Sequence, residues 1–246
     1  MKYTVPNSLL KFAHSVAKIP FAKKILKPIY YPYKNILFKK RQENFRKNAL
    51  EMLASFDKCC QENSIDYFII FGTLLGAIRE KGFISHDFDV DVAMFVENRS
   101  SLLYDKLASY GFRLDHRFRI ENGKLGCEET FVYKETGVAI DVFYVCPPIN
   151  EYPYVCCWNL VGDSVSHRDS MKKYGYVIPR RIELPIDKHI ERIPFETIEV
   201  NIPQNAHQIS EFSYGKNYMT PDPNYVAPKE HRVIWTEKKA IFEEFC

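Results

Sequence analysis

The most restrictive feature of this chain is a short acidic segment in which aspartates alternate with apolar residues. Asp87, Asp89 and Asp91 are each separated by one apolar residue. Alternate side chains of a β-strand share a face, so the pattern predicts a strand over residues 88–95 with carboxylates on one side and apolar groups in the core. Unpaired carboxylates about 4 Å apart repel by about 4 kcal/mol near a protein surface. This alignment therefore predicts a cation site.

A fourth aspartate extends the pattern. Asp141 is the one acid in an apolar run over residues 138–145, which we predict to be another strand. A buried carboxylate without a partner is costly, so an aspartate in such a strand indicates a metal, a cation or a catalytic role. If the two strands are neighbours, Asp141 joins Asp87, Asp89 and Asp91. Clustered hard oxygens favour Mg²⁺ or Mn²⁺ with bound phosphates, and we predict these four residues as the metal ligands.

A glycine-threonine turn precedes the acidic segment. Gly72 and Thr73 follow an apolar strand and open a short predicted helix. Glycine lets a ligand approach the backbone closely, and a helix N-terminus offers free N–H groups to phosphate. Thr73 could cap that helix or donate to phosphate. Arg79 and Lys81 lie one or two turns later and could neutralise phosphate charge. The sequence thus predicts these four residues as a phosphate-binding set beside the metal.

This stretch resembles the LicD family, which includes bacterial phosphocholine transferases and fukutin-type ribitol-phosphate transferases. That family's signature reads Gly-Thr-Leu-Leu-Gly-Ala, then Arg, then Phe-Ile-Pro-Trp-Asp-Asp-Asp, a hydrophobic residue and Asp. The chain matches it at 72–77, Arg79, 83–84 and the three aspartates, and the resemblance covers residues 45–225. It departs at Ser85-His86, which replace Pro-Trp, and at Phe88, which replaces the middle aspartate.

The resemblance implies a nucleotidyltransferase fold of the DNA polymerase β type and a transfer reaction. A phosphate-linked alcohol would pass from a CDP-activated donor to a hydroxyl of a cell-surface glycan, which could be lipid-linked, with release of CMP. Asp89, Asp91 and Asp141 would be the catalytic residues, Asp141 acting as metal ligand or as base.

Three further residues are candidates for contacts with the base or the acceptor. The resemblance extends to a later Tyr-Gly element that contains Tyr214, with Tyr218 following it. Both rings could stack on cytosine or on a sugar, or could simply pack the C-terminal segment on the body. His86 could contact the phosphates, or could be a partly exposed loop residue.

The expected architecture is α+β: a mixed sheet flanked by helices, with a basic helical N-terminal arm. We place the arm at residues 1–44 and the catalytic domain at 45–246. Within that domain we expect residues 146–185 to be irregular and 237–245 to form a terminal helix. No apolar run is long enough to span a bilayer, and no secretory signal is evident. The seven cysteines lack zinc-site spacing and are expected to be reduced thiols.

The arm carries most of the positive charge. Residues 1–47 contain twelve Lys or Arg and one acid, whereas the remainder is net negative. Apolar residues recur at helical spacing from Leu9 to Ile19, and Pro20, Pro28 and Pro32 are expected to break the pattern. Lysines mixed with aromatic rings suit an anionic membrane surface. The alternatives are a helix packed on the body and, less favoured, nucleic acid, which we do not expect as a partner. We expect a cytoplasmic protein held peripherally on the inner face of the cytoplasmic membrane.

Other functions remain open at this stage. A true nucleotidyltransferase would use an NTP and release pyrophosphate. A glycosyltransferase with an Asp-x-Asp motif is disfavoured by the turn before the carboxylates and by Asp141. A nucleotide- or membrane-binding pseudoenzyme would be expected to have lost Asp89, Asp91 or Asp141, and all three are present.

The predicted role of the arm can be tested by truncation. Removal of residues 1–40 is expected to weaken binding to anionic liposomes, because most of the basic and aromatic side chains of the arm are lost. Co-sedimentation with vesicles measures the effect. Unchanged co-sedimentation would show that the arm is not a membrane anchor.

Overall fold

A computed structural model describes most of the chain. The described residues are 20–99, 102–124, 127–146, 155–160, 166–222, 233–235 and 238–245. The helices among them are α1 (Pro20–Glu62), α2 (Phe71–Glu80), α3 (Leu102–Ser109), α4 (His167–Tyr174) and α5 (Ala206–Tyr214). The strands are β1 (Phe68–Ile69), β2 (Val90–Phe95), β3 (Phe112–Ile120), β4 (Cys127–Tyr133), β5 (Val138–Val145), β6 (Val155–Leu160), β7 (Pro179–Leu184), β8 (Ile190–Phe195), β9 (Ile198–Pro203), β10 (Val233–Trp235) and β11 (Ala240–Glu244). Short 3₁₀ turns occupy Val96–Asn98, Glu121–Gly123 and Lys134–Thr136.

A six-stranded mixed sheet organises the fold, with strand order β1-β2-β5-β4-β3-β11. The β2–β5 pair is parallel, and the other pairs in this sheet are antiparallel. A three-stranded sheet in the order β10-β7-β6 and the β8–β9 hairpin complete the described strands. The predicted α+β class with a mixed sheet flanked by helices is confirmed. Its topology as a polymerase β-type nucleotidyltransferase stays a prediction.

The two faces of the large sheet differ in character. One face is covered by α1 and α3, and there Phe56 of α1 packs edge-on against Phe112 and Tyr67. Val92, Ile140 and other apolar residues of the central strands are fully buried. Since side chains alternate along a strand, Asp91 and Asp141 belong to the opposite face. The core thus fixes which way the acidic face points.

A buried ion pair lies on the helix-covered face. Glu129 of β4 is 0% exposed and accepts hydrogen bonds from Arg99 (2.9 Å), Tyr104 (2.5 Å) and Tyr144 (2.9 Å). The Arg99 guanidinium also lies over the Tyr144 ring, 5.5 Å from its centroid. A carboxylate with this many donors is tolerated in the interior, where an isolated one would not be.

Helix α1 differs from the sequence prediction. It runs without interruption from Pro20 to Glu62, so Pro28 and Pro32 lie inside a helix and do not end it. A proline removes one backbone hydrogen bond and can bend a helix while both flanks continue. The helix crosses the boundary that the sequence places between residues 44 and 45. The apolar pattern at Leu9–Ile19 lies outside the described residues.

Two predictions about the C-terminal half are wrong. The stretch predicted to be irregular, 146–185, contains β6, α4 and β7. The predicted terminal helix is strand β11, which pairs with β3 over five residues. Helix propensity at the end of the chain is outweighed there by cross-strand contacts, including the ion pairs of Glu243 with Arg117 and Arg119. Among the described residues, no helix is both long enough and apolar enough to cross a bilayer.

Two glycines of α2 give a matched test of its packing. A Cβ at Gly76 would overlap the Gly82 carbonyl oxygen, whereas a Cβ at Gly72 would meet Asp87 Oδ1 at an ordinary 3.6 Å. We expect Gly76→Ala to lower the free energy of unfolding by about 1–3 kcal/mol, since backbone must move. Gly72→Ala should leave that free energy nearly unchanged. Equal denaturation midpoints for the two variants would contradict this packing.

Candidate active site

Parallel pairing of β2 with β5 creates the centre of the site. Asp91 and Asp141 are register partners on these adjacent strands, and therefore lie side by side on the same face. The flanking residues Val90, Val92, Ile140 and Val142 are fully buried on the other face. The expectation that Asp141 joins the acidic segment is confirmed by this register.

The other two aspartates reach the site from a loop. Strand β2 begins at Val90, so the predicted strand from residue 88 is two residues too long. Asp87 and Asp89 lie in the loop between α2 and β2, where Asp87 Oδ2 accepts a hydrogen bond from the Ile84 N–H (3.1 Å). Their position depends on this loop and not on strand alternation.

The carboxylates raise one another's pKa values. Burial raises the pKa of Asp91 well above its ordinary value, and the charges of Asp89 and Asp141 add to the effect. The pKa of Asp87 rises to about 6, mainly through burial. Burial also raises the pKa of Asp141, opposed by a hydrogen bond from Thr130. Negative charge is thus concentrated where a cation would relieve it.

A fifth carboxylate was not predicted from the sequence. Glu128 of β4 pairs in register with Phe143, two residues from Asp141, on the acidic face. Burial raises its pKa well above the ordinary value, and Asp141 and Asp89 raise it further. The sequence shows the alternation of Glu128 with Thr130, but the pairing of β4 with β5 is needed to bring it beside the aspartates.

A hydrogen-bonded chain supports Asp141 from the neighbouring strands. The Thr130 hydroxyl donates to Asp141 Oδ1 (2.5 Å), and His116 Nε2 lies 3.1 Å from the same hydroxyl oxygen. Because that oxygen donates its proton to Asp141, it accepts from the Nε2–H of His116. His116 Nδ1 lies 3.1 Å from Asp115 Oδ2, and its ring packs against the tilted ring of Phe242 of β11. These contacts orient Asp141 and favour its ionised form.

Thr73 has a different contact from the one predicted. It is 1% exposed, and its hydroxyl accepts the backbone N–H of Asp91 at 3.0 Å. The Ile70 N–H also donates to the Asp91 carbonyl (3.0 Å). Thr73 therefore ties the start of α2 to the start of β2 and positions Asp91. Its role in phosphate binding stays a prediction.

The turn at Gly72 lies beside the acidic loop. Asp87 Oδ1 would stand 3.6 Å from a Cβ at Gly72, so the two residues are neighbours. Phe71 before it has a φ of 51°, a left-handed conformation that bulky residues rarely adopt. Its ring packs edge-on against Phe143 of β5, which holds the turn in place. Such strain is typical of functional sites.

The two predicted phosphate cations lie at the far end of α2. Arg79 forms a hydrogen-bonded ion pair with Glu80 (2.6 Å). Lys81 follows the helix in a left-handed conformation, about 13 Å along the helix rise from Gly72. It lines a cavity of about 260 Å³ together with Glu191 and His207, which we call the second cavity to distinguish it from one beside α1. The structure does not bring Lys81 together with the carboxylates.

The three predicted contact residues are dispersed. His86 is exposed in the acidic loop, next to Asp87 in the chain. Tyr214 ends α5, and the Tyr218 hydroxyl lies 2.6 Å from His207 Nδ1 at the second cavity. His86 is thus beside the carboxylates, whereas Tyr218 is on the side of α2 that packs against α5.

Helix α1 contacts the acidic loop along more than two of its turns. Gln42 and Arg46 both donate to the Ser85 carbonyl, at 2.6 and 2.9 Å. Beside them, Phe45 packs edge-on against Phe83. One turn earlier, Phe38 and Arg41 contact Phe88. A cavity of about 360 Å³ lies between Phe45, Arg46, Phe83–Ser85 and Glu196. The loop that carries Asp87 and Asp89 is therefore held by α1.

The donor set suits a hard divalent cation. Carboxylate oxygens are the ligands that Mg²⁺ and Mn²⁺ prefer, and those of Asp91 and Asp141 come from rigid strands. In the part of the chain that the structure describes, no three His, Cys, Asp or Glu side chains are arranged closely enough to hold a metal ion. The residues fit the cation by the chemistry of their oxygens and by the pairing of Asp91 with Asp141, and a bound cation would draw the oxygens together.

Comparison with known proteins identifies the family. The model of the LicD/FKTN/FKRP nucleotidyltransferase domain matches residues 64–205, more than half of the chain. The chain belongs to the LicD family. The matched segment of this LicD-family chain includes α2, the acidic loop and β2 to β5, so it covers every carboxylate of the site.

Relatives of the family carry transferase names. The human ribitol-5-phosphate transferase FKTN is 25% identical over 178 residues, which cover 72% of this chain and 34% of the human protein. The lipopolysaccharide cholinephosphotransferase LicD of Haemophilus influenzae is 32% identical over 95 residues, 39% of this chain and 32% of that protein. The chain spans about a third of the length of the curated relatives it matches.

The raised carboxylate pKa values predict how metal-free stability depends on pH. A carboxylate with a raised pKa in the fold keeps its proton when the unfolded chain has lost it, so stability falls as pH rises above about 4. At pH 7, Asp91→Asn is therefore expected to raise the metal-free melting temperature, by about 2–8 °C. The gain should vanish near pH 4.

Added Mg²⁺ supplies the control for this prediction. It should raise the melting temperature of the wild type more than that of Asp91→Asn, because the variant lacks one ligand charge. A variant less stable than the wild type at pH 7 without metal would contradict the electrostatic account.

Thr130 offers a test of the support for Asp141. Thr130→Val removes the hydrogen bond that lowers the pKa of Asp141, so that pKa should rise. Since a metal ligand must be ionised, the pH midpoint for Mg²⁺ binding should move upward. Thr130→Ser keeps the hydroxyl and should retain the wild-type midpoint. Calorimetric titrations across pH measure the effect, and identical midpoints for Val and Ser would refute it.

Proposed function

We propose that this chain is a metal-dependent transferase that moves a phosphate-linked alcohol from a CDP-activated donor to a glycan hydroxyl and releases CMP. The observation that carries the proposal is the register pairing of Asp91 with Asp141, flanked by Asp87, Asp89 and Glu128. The transferase names of relatives in the same family support this reaction class. Phosphocholine, ribitol phosphate and glycerol phosphate are the candidate transferred groups.

Four residues would hold the cation in this proposal. Asp89, Asp91 and Asp141 would be ligands of Mg²⁺ or Mn²⁺, with Asp87 completing the set. When bound, such a cation offsets negative charge on the transferring phosphoryl group and on the CMP leaving group. Relief of the repulsion among the carboxylates favours their ionised forms at neutral pH.

The remaining residues act on position and on the proton. In the transfer, the bond from the phosphoryl phosphorus to the CMP oxygen breaks and a bond to the glycan oxygen forms. The glycan hydroxyl gives up its proton, and an Asp141 not engaged as ligand is the candidate base. Thr130 and His116 fix the orientation of Asp141. The N–H of Gly72 and the other free N–H groups at the start of α2 would donate hydrogen bonds to a phosphate of the CDP-linked substrate, beside Asp87.

The association with a membrane is part of the proposal. Basic residues before residue 44 would bind anionic headgroups at the inner face of the cytoplasmic membrane, where a lipid-linked acceptor would be presented. Phe38 and Arg41 contact Phe88 and so support the site. Truncation of residues 1–35 keeps both side chains, so that any loss of membrane binding is measured without loss of these contacts. Nucleic acid is not part of the proposal.

The reaction is tested with a donor panel. Purified chain with Mg²⁺ is incubated with CDP-ribitol, CDP-choline or CDP-glycerol, and CMP is measured with and without a glycan acceptor. We expect CMP from one CDP-alcohol, loss of at least a hundredfold in Asp89→Asn, and loss of activity in excess EDTA.

Two outcomes would redirect the proposal. Pyrophosphate release from CTP or another NTP, without CMP release from any CDP-alcohol, would indicate a nucleotidyltransferase, the activity named in the description of the family domain. Full activity of Asp89→Asn, or full activity in EDTA, would overturn the metal-dependent mechanism.

A further inference from the structure

The acidic site needs a further cation to balance a bound diphosphate, because one candidate from the sequence is already ion-paired and the other lines a different cavity. Arg79 pairs with Glu80, and Lys81 lies at the far end of α2. A divalent ion would be neutralised largely by the carboxylates, so the phosphates would still face net negative charge. A side chain with permanent positive charge at the edge of the site would offset it.

Arg41 of α1 occupies that position. Its guanidinium carbon lies 5.3 Å from the centroid of the Phe88 ring, and Phe88 sits between Asp87 and Asp89 in the chain. Arg41 is therefore next to the loop that carries Asp87 and Asp89. Its charge is also within electrostatic range of Asp141, where burial raises the pKa and Arg41 opposes that rise.

The geometry holds Arg41 in place and leaves it able to donate. Phe38, one helical turn earlier, packs edge-on against the same Phe88 ring at 4.6 Å, so the ring is fixed from the α1 side. A guanidinium over an aromatic face keeps its N–H groups at the edge of its plane. Arg41 makes no ion pair with any residue in the described ranges, and it is exposed to solvent.

We infer that Arg41 binds the diphosphate of the donor, with Phe88 as its platform. The site would thus be completed by a residue that lies on α1 and outside the segment matched by the family model. This inference rests on the proposed function for the identity of the donor. The binding itself requires only two linked phosphates and a divalent ion.

Magnesium pyrophosphate is the probe, because it carries the two phosphates without the alcohol or the nucleoside. Calorimetry compares wild type, Arg41→Gln and Lys47→Gln, each with magnesium pyrophosphate and with Mg²⁺ alone. Lys47→Gln removes the same charge from an exposed residue of α1, about 120° around the helix. We expect about three- to tenfold weaker pyrophosphate binding in Arg41→Gln and little change in Lys47→Gln.

The affinity for Mg²⁺ alone separates recognition from a structural effect. Removal of a positive charge near carboxylates should leave Mg²⁺ binding unchanged or stronger in Arg41→Gln. A variant that loses Mg²⁺ and magnesium pyrophosphate binding equally would show that Arg41 only supports the fold, and would overturn the inference. Equal pyrophosphate affinities for Arg41→Gln and Lys47→Gln would overturn it as well.

The outcome is distinguishable from the fate of the proposed function. A wild type that releases CMP from a CDP-alcohol but binds magnesium pyrophosphate without dependence on Arg41 supports the function and refutes the role of Arg41. A wild type whose pyrophosphate binding depends on Arg41, but which releases no CMP from any CDP-alcohol, supports the role of Arg41 and contradicts the function.

Discussion

Parallel pairing between β2 and β5 is the constraint on which the rest of the site depends. It places Asp91 beside Asp141 and directs both away from the apolar face that α1 and α3 cover. A shift of one residue would turn the carboxylates into the core and the valines toward solvent, so hydrophobic burial itself enforces the acidic cluster. The repulsion within that cluster is offset by the packing beneath it, and a bound cation would relieve it.

The sequence predicted the strands of the site better than the loops. The strand at Val138–Val145 matches its predicted bounds, because Gly137 ends the turn before it and an apolar run defines its length. The same patterning overextended β2, since alternation at Asp87 and Asp89 comes from a loop that α1 holds. Alternation alone cannot distinguish a strand from a loop fixed by distant contacts.

Residues that depend on tertiary contacts escaped prediction. Glu128 and His116 reach the site through strand pairing, and Arg41 reaches it through α1, which the sequence assigned to a separate arm. For Thr73 the sequence indicated a helix cap or a phosphate contact, and it could not show that the buried hydroxyl accepts the N–H of Asp91. In each case the residue is visible in the sequence, but the partner that gives it its position belongs to another helix or strand.

The edge strand β11 has a consequence for how the chain is made. Phe242 of this strand packs against the ring of His116, and its neighbour Glu243 pairs with two arginines of β3. Because synthesis runs from the N-terminus, the aspartates leave the ribosome long before the strand that supports His116. The support behind Asp141 is thus complete only once residue 244 has emerged, and a nascent chain that stops short lacks it.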